Sequence, residues 1–410
     1  MKIAIIGGGA AGYFAAINIK ERAAEAEVTI FEASSKSLTK VGISGGGRCN
    51  LTNTFAQISN LSKAYPRGDK LIKRAFKIFD NHATVEWFEG HGVRLTTQED
   101  ECLFPASQRS SEIIETFVRL NRELGVEVKH SHRVERITPI EEGGYSLSFS
   151  DPKLTARDFD SVVVTTGGSP RLEGFGMLGG LNLTISPPLP SLFSLNIPND
   201  PITHLMGCVV EGAIATLGGG SRLSASGAVL ITHWGFSGPA ILRLSSYGAR
   251  LLAESEYRYP LSINWVGERS TERVTEEIRA IAREHSAKLV TTKRPYDLPS
   301  RLWLALLMKS GIAHERRFAE LGSKGINRLV NTLTNDLYQI EGQSRWRSEF
   351  VTCGGVSLSS IDLVRCEAKE HPNLYFAGEV LDVDAITGGF NLQAAWSTAF
   401  CVACSITGRG

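Results

Sequence analysis

No run of about 18 apolar residues occurs anywhere in this sequence, so it offers nothing that would span a bilayer. The first residues, MKIAIIG, enter a strand-like run directly, without the pattern of a signal peptide. Charge of neither sign predominates: 44 Lys and Arg against 43 Asp and Glu leave a net +1, which argues against a molecule that binds polyanions over its whole surface. Cysteine is sparse and odd in number, seven in 410 residues, and its scatter does not read as a disulfide framework. A reduced, cytoplasmic protein is the expectation. HExxH, zinc-spaced CxxC pairs, Walker A and GxSxG are all missing, which removes metal hydrolysis, NTPase and serine hydrolase chemistry and leaves no metal site to expect. Cys401-x-x-Cys404 has redox spacing but sits late in an apolar helical stretch, where buried structural cysteines are the better reading. There is no repeat, low-complexity tract or heptad seam, so the pattern carries no oligomeric state, and no aromatic RNA-binding stripe.

What remains is a globular chain, 42% hydrophobic and 21% charged, long enough for two or three domains. Its 41 glycines are many for the length and ask for close approach or unusual backbone. The first cluster is KIAIIGGGAAGYFAAINIKERAAEAEVTIFEAS. An apolar strand, Ile3 to Ile6, runs into Gly7-x-Gly9-x-x-Gly12, then a helix, then a second strand from Val28 to Phe31 that ends on Glu32, twenty residues after Gly12. Gly7 permits the tight turn, Gly9 lets backbone reach a pyrophosphate, and Gly12 allows close helix–strand packing. Ala10 and Ala11 open the helix whose N-terminus favours the phosphate charge. Glu32 can accept hydrogen bonds from a ribose diol, which points to FAD or NAD and away from NADP.

FAD is favoured further along. DSVVVTTGGSP, residues 160–170, is a strand ending in Gly167 and Gly168. Leu374 to Ala377 is another strand, followed by Gly378-Glu379, the pair Gly388 and Gly389, and an apolar helix. Two-dinucleotide-fold flavoproteins complete their FAD site with such a strand–Gly–acid and a glycine-opened helix, whose N-terminus faces the pyrimidine end of the flavin. The run KVGISGGGRCNLTN, residues 40–53, then makes sense: Gly45, Gly46 and Gly47 let N–H groups pass against the flavin or its diphosphate, and Arg48 and Asn50 present fixed donors.

KVGISGGGRCNLTN, ITHWGFSGPAIL, TCGGVSL and LYFAGEVLDVDAITGGFNLQAAW, in that order, resemble the BaiN/YhiN-like family of bacterial flavoproteins, taken as NAD(P)/FAD-dependent oxidoreductases. The resemblance spans nearly the whole chain. It implies FAD contacts by Gly7, Gly9, Gly12, Glu32, Arg48, Cys49, Asn50, Gly378, Glu379, Asn391, Leu392 and Gln393. Lys40, Gly46, Gly47, Val134, Gly167, Gly168 and Gly389 complete the candidate cofactor set. It also implies an α/β, Rossmann-like FAD/NAD(P)-binding domain with an inserted β-barrel and a helical subdomain.

The expected division is a discontinuous FAD domain over 1–188 and 352–410, a β-barrel over 189–265 and 336–351, and a helical insert over 266–335. GPAILRLSSYGARLLAE reads as one helix opened by Pro239. Between Val266 and Val330 stand 13 basic residues against 8 acidic, and a second basic cluster, RGDKLIKRAFK, begins at Arg67. A solvated helix surface or a phosphate-rich substrate would each account for the surplus. His233, in THWGFSG ahead of a helix, is the candidate proton donor, and Arg48 the other candidate catalytic residue. No second GxGxxG appears in the insert, so either NAD(P)H visits the flavin transiently or the substrate reduces it. The resemblance implies two chemistries: reduction of a conjugated C=C bond, in a steroid dienone or an RNA uracil, and oxidation of a small primary amine such as aminoacetone by O2. A flavin that only stabilises a binding scaffold is the non-enzymatic alternative.

Overall fold

The computed structural model describes residues 1–218, 220, 223–342 and 351–408. The chain divides into two compact units, residues 1–190 with 351–410, and residues 191–350. Residues 343–350, which the sequence assigns to the barrel, lie outside the described residues.

The first unit is built on a seven-stranded sheet in the order Ile361–Asp362, Glu367–Ala368, Leu374–Phe376, Ser161–Val164, Lys2–Ile6, Glu27–Phe31, Glu127–Lys129. The last five strands run parallel, with Ile5 opposite both Val163 and Ile30. Strands buried on both faces read as unbroken apolar runs, and Ile3–Ile6 and Val162–Val164 are fully buried. Helices Ala10–Arg22 and Phe390–Thr407 pack against each other on this sheet. Phe14 sits 4.6 Å from Trp87, 5.3 Å from Trp396 and 5.5 Å from Phe79, ring centre to ring centre. Each fully buried ring of this cluster contributes roughly 1.5–3 kcal/mol from area alone. Small sheets Thr52–Asn53, Cys102–Pro105, Leu95–Thr97 and Val134–Pro139, Tyr145–Phe149, Arg157–Phe159 also belong to the unit, and Ile185–Ser191 pairs with Val351–Val356.

The second unit holds a six-stranded antiparallel sheet in the order Leu195–Asn196, Gly235–Ser237, Ser224–Thr232, Val209–Leu217, Arg258–Asn264, Asp336–Glu341. It curls until its two edges meet, where Asn196 N–H donates to Gly342 O at 3.2 Å, so it is a near-closed barrel. Helices Thr271–Glu284, Ser300–Lys309 and Gly322–Thr334 share one hydrophobic core with it, in which Phe236, Trp265 and Ile340 of the barrel join Trp303, Leu307 and Leu329 of the helices. The single helix expected from Pro239 is in fact two, Pro239–Tyr247 and Ala249–Glu254, meeting at Gly248. A Cβ there would lie 2.6 Å from Leu217 Cδ1, so the strand beneath dictates the residue at the joint. Among the described residues no helix is long and apolar enough to cross a membrane, and all seven cysteines are free and buried.

One buried carboxylate organises the seam between barrel and helices. Asp336 accepts from Trp265 Nε1 at 2.9 Å and from Tyr338 Oη, and pairs with Lys309 Nζ at 2.5 Å. Burial and that carboxylate hold the Tyr338 phenol well above its ordinary range, so it stays a donor. Replacing Asp336 with Ala leaves a buried indole N–H without its acceptor. The expected cost is about 1–3 kcal/mol of stability in the second unit, read from urea unfolding followed by tryptophan fluorescence. Flavin content should be unchanged.

Candidate functional site

The turn after strand Lys2–Ile6 is shaped by its neighbours. Gly7 has φ +112° and a Cβ there would sit 2.5 Å from Thr165 O, while a Cβ on Gly12 would collide with Gly7 O. Gly9 caps helix Ala10–Arg22 with no side-chain cap, and a Cβ on it would meet nothing within 4 Å. The N–H groups of Ala10, Ala11 and Gly12 have no acceptor within the helix. Glu32 stands beside them, accepting from Gly8 N–H at 2.8 Å and Ser34 N–H at 2.7 Å. Its carbonyl takes His132 N–H at 2.9 Å, which brings in the segment leading to buried Val134. An uncapped helix N-terminus facing free space, with a carboxylate alongside, fits the diphosphate and ribose of a dinucleotide.

A second set converges on Glu379. Its carboxylate accepts from Thr352 N–H at 2.9 Å and pairs with Lys40 Nζ at 3.1 Å. A Cβ on Gly168 would lie 2.7 Å from Glu379 Oε1 and 2.5 Å from Thr352 Oγ1; Gly167, at φ +74°, approaches the other carboxylate oxygen. Gly378, at φ +77°, donates to Thr398 Oγ1 at 2.9 Å, and its missing Cβ makes room for Ala11. Lys40, Gly167, Gly168 and Glu379 are thus brought together, and Ala11 ties them to the first turn. Thr352 and Thr398 escaped the sequence reading, because a threonine hydroxyl or N–H has no spacing that marks it.

The glycine run is a left-handed turn. Helix Thr39–Gly47 kinks at Ser44, and Gly45, Gly46 and Gly47 follow with φ of +55°, +67° and +84°. Glycine is needed here for a left-handed turn. At Gly45 the close neighbours belong to the protein itself, Asn50 N at 2.7 Å and Phe104 at 3.0 Å from a notional Cβ, whereas Gly46 has nothing within 4 Å. Arg48 is exposed, lies over the Phe104 ring at 4.4 Å and donates to Gly45 O at 3.2 Å. Cys49, at φ +64°, is buried, and burial pushes its thiol up to about 12, so it offers no thiolate. The Asn50 carboxamide, oriented to satisfy both neighbours, accepts from Gly389 N–H at 3.2 Å and donates to Thr52 O at 3.0 Å.

Gly389, at φ +84°, opens helix Phe390–Thr407, again without a side-chain cap. Asn391 brackets Ala385, accepting from its N–H at 2.9 Å and donating to its carbonyl at 3.0 Å. Leu392 is half-buried. Gln393 is fully buried: its oxygen accepts from Thr52 and Thr84 hydroxyls at 2.5 and 2.9 Å and its nitrogen donates to Ser397 at 2.9 Å. The Cys49 and Gln393 side chains are both enclosed by protein, so a contact with FAD at either position would be made by its backbone.

One further expectation is revised. Arg67 does not belong to an exposed basic cluster; its guanidinium forks onto buried Asp384, whose carboxylate, against the cost of burial, raises the Arg67 pKa further. Lys70, Lys73, Arg74 and Lys77 remain exposed. His233 belongs to the second unit, on the two-residue tip of a hairpin between Ser224–Thr232 and Gly235–Ser237, exposed and edge-on to Trp234 at 4.3 Å. That unit also carries a cleft of about 730 Å³, floored by Phe318 and Ile326 and lined by Arg279, Arg283 and Glu276.

The glycine turn yields a paired prediction. Alanine at either Gly45 or Gly46 meets the left-handed φ at roughly 1–2 kcal/mol. Gly45→Ala should lower both thermal stability and flavin content, because its Cβ strikes the protein. Gly46→Ala should leave the apoprotein close to wild type apart from that strain, yet lose flavin disproportionately. Absorbance of bound flavin per protein, beside thermal unfolding of the apoprotein, separates the two effects.

Comparison with known proteins accords with this geometry. The model of the HI0933-like protein Rossmann domain matches residues 1–405. A protein of Clostridium scindens named 3-dehydro-bile acid delta(4,6)-reductase is 26% identical over 97% of both chains. A Haemophilus influenzae protein named ribosomal RNA dihydrouridine synthase is 27% identical over 98% of both. Among solved structures, 3-ketosteroid delta1-dehydrogenase from Sterolibacterium denitrificans superposes with a TM-score of 0.51 at 12% identity, covering 100% of this chain and 99% of that one. An E. coli quinol fumarate reductase FrdA chain gives 0.50 at 12% identity, covering 100% of this chain and 70% of that one. These two carry the fold alone. The family is the one that the four motifs resemble: the chain belongs to the HI0933-like family and is an FAD-dependent oxidoreductase.

Proposed function

We propose that this protein reduces a carbon–carbon double bond conjugated to a carbonyl group, with NAD(P)H as the reductant. One observation carries the reading. Two relatives that match over nearly their full lengths bear names that share this chemistry, saturation of a C=C bond next to a carbonyl in a 3-oxo steroid acid or in uracil. The chain's own residues suit it. Gly9, the first turn of helix Ala10–Arg22 and Glu32 would hold the ADP half of FAD, and Lys40, Glu379 and the start of helix Phe390–Thr407 the remainder. Bound there, FAD supplies hydride from its N5 position. The N–H groups of Phe390, Asn391 and Leu392, which lack helical acceptors, would favour negative charge on the part of FAD held before them. Thiol–disulfide chemistry finds no support, since Cys49 is held as a buried thiol. Arg48, exposed beside the glycine turn of the same unit, is the proposed cation that polarises the carbonyl oxygen.

Anaerobic titration tests the reaction class. NADH or NADPH should bleach the flavin, and a steroid dienone should then restore its absorbance. Bleaching by aminoacetone instead, with hydrogen peroxide formed one for one on admitting air, would overturn the reading in favour of an amine oxidase.

As the substrate we propose a uracil in RNA, on the charge of the second unit. Arg279 and Arg283, one turn apart on the same helix, face the 730 Å³ cleft with no carboxylate pairing them among the described residues. Like charges at this spacing cost a few tenths of a kcal/mol unless something anionic meets them. Reversing both to Glu should weaken binding of an RNA oligonucleotide and flatten its salt dependence by roughly 1–2 in log–log slope, with flavin content unchanged. Wild-type RNA binding in that variant would leave the small-molecule substrate.

A further inference from the structure

Residues 64–68 and 383–390 are fastened together at several points. Ile386 N–H donates to Ala64 O at 2.9 Å, and Tyr65 Oη donates to Phe390 O at 2.9 Å. Arg67 and Asp384 form an antiparallel backbone bridge, and their side chains meet in a bidentate pair, Nε to Oδ1 at 2.5 Å and Nη2 to Oδ2. A Cβ on Gly68 would collide with Val383, so the two segments lie flush. Asp384 is fully buried and only 11% of the Arg67 side chain is exposed, with Asp382 and Cys353 as the other titratable groups facing the guanidinium.

A buried ion pair is a poor device for stability, because desolvation of both charges offsets most of their attraction. Its distinctive property is direction: two parallel hydrogen bonds fix a guanidinium and a carboxylate in one plane at one separation. The part held here is the loop that turns through Gly388 and Gly389 into helix Phe390–Thr407. Asn391 clamps Ala385 from the other side. That helix start has no side-chain cap, so its dipole acts on whatever lies in front of it.

We propose that Arg67 is a positioning residue: its fork on Asp384 sets the direction in which the uncapped N-terminus of helix Phe390–Thr407 meets the pyrimidine end of FAD, and thereby tunes the cofactor's reduction potential. This rests on the FAD assignment and holds whichever carbonyl compound is the substrate. The N–H groups favour the reduced cofactor, which carries more negative charge there, over the oxidised one. Loosening the fork lets the helix start drift, and the potential falls.

Two variants of the FAD-loaded protein test this through its midpoint potential, measured by equilibration with a reference dye. Arg67→Lys keeps the charge and loses the fork. Asp384→Asn removes a negative charge and leaves the guanidinium in place. Both should lower the potential by about 30 mV, a tenfold loss of preference for the reduced form in a two-electron couple. A through-space charge effect gives a different pattern, a higher potential for Asp384→Asn and none of the fall for Arg67→Lys. That pattern, or unmoved potentials in both, overturns the proposal. Should Asp384→Asn fail to fold, Arg67→Lys decides alone.

Discussion

Helices Ala10–Arg22 and Phe390–Thr407 both start on a glycine, both lack a side-chain cap, and they pack against each other. Capping would satisfy their first N–H groups and close the ground in front of them. Leaving two such ends open costs stability, and the first unit is arranged to bear it. The Phe14–Trp396 contact locks the helices together, Gly378 lets Ala11 in close, and the absent Cβ of Gly12 seats the first helix on its strand. Even the glycine turn at 45–47 serves this end, since it delivers Asn50 to Gly389. The unit is a means of keeping two positive helix ends unsatisfied by protein.

The parts readable in the sequence are those fixed by short-range pattern. Strand, GxGxxG, helix, strand and Glu32 announce themselves within 32 residues, because Gly7 and Gly12 answer steric demands from the adjoining strand and the turn itself, and Gly9 leaves the space beside the helix start empty. The barrel strands Val209–Leu217 and Ser224–Thr232 are legible by alternation, and helix Thr271–Glu284 by its apolar stripe. What stayed hidden depends on partners far away in sequence. Arg67 reads as one more basic residue until Asp384, 317 positions on, folds against it. Gly248 reads as an ordinary helix glycine until Leu217 presses on it. Cys49 and Gln393 sit within motifs that resemble cofactor contacts, yet their side chains are enclosed by protein. Burial of a side chain is a property of the packed unit, and no local spacing encodes it.

The second unit follows a different economy. Its sheet curls until edge meets edge, and Asp336 gathers Trp265, Tyr338 and Lys309 where helices and barrel share a core. A rigid barrel presenting a two-residue tip suits a side chain such as His233, whose backbone is held by strand pairing on both sides. The basic cleft, by contrast, is lined by helix surface and can change charge without disturbing that core.

The interleaved order of the first sheet bears on how the protein is made. Strand Ser161–Val164 lies between Lys2–Ile6 and Leu374–Phe376, and the whole second unit is threaded between the last two in sequence. A ribosome adding about 5–20 residues each second leaves tens of seconds between synthesis of the first glycine turn and of Gly389. During that interval the phosphate turn exists without its counterpart helix, and the sheet edge at Ser161–Val164 has no neighbour. Cofactor loading is therefore a late event in the life of the chain, and the growing polypeptide must keep an open apolar sheet edge out of trouble until strand Leu374–Phe376 and the closing helix arrive.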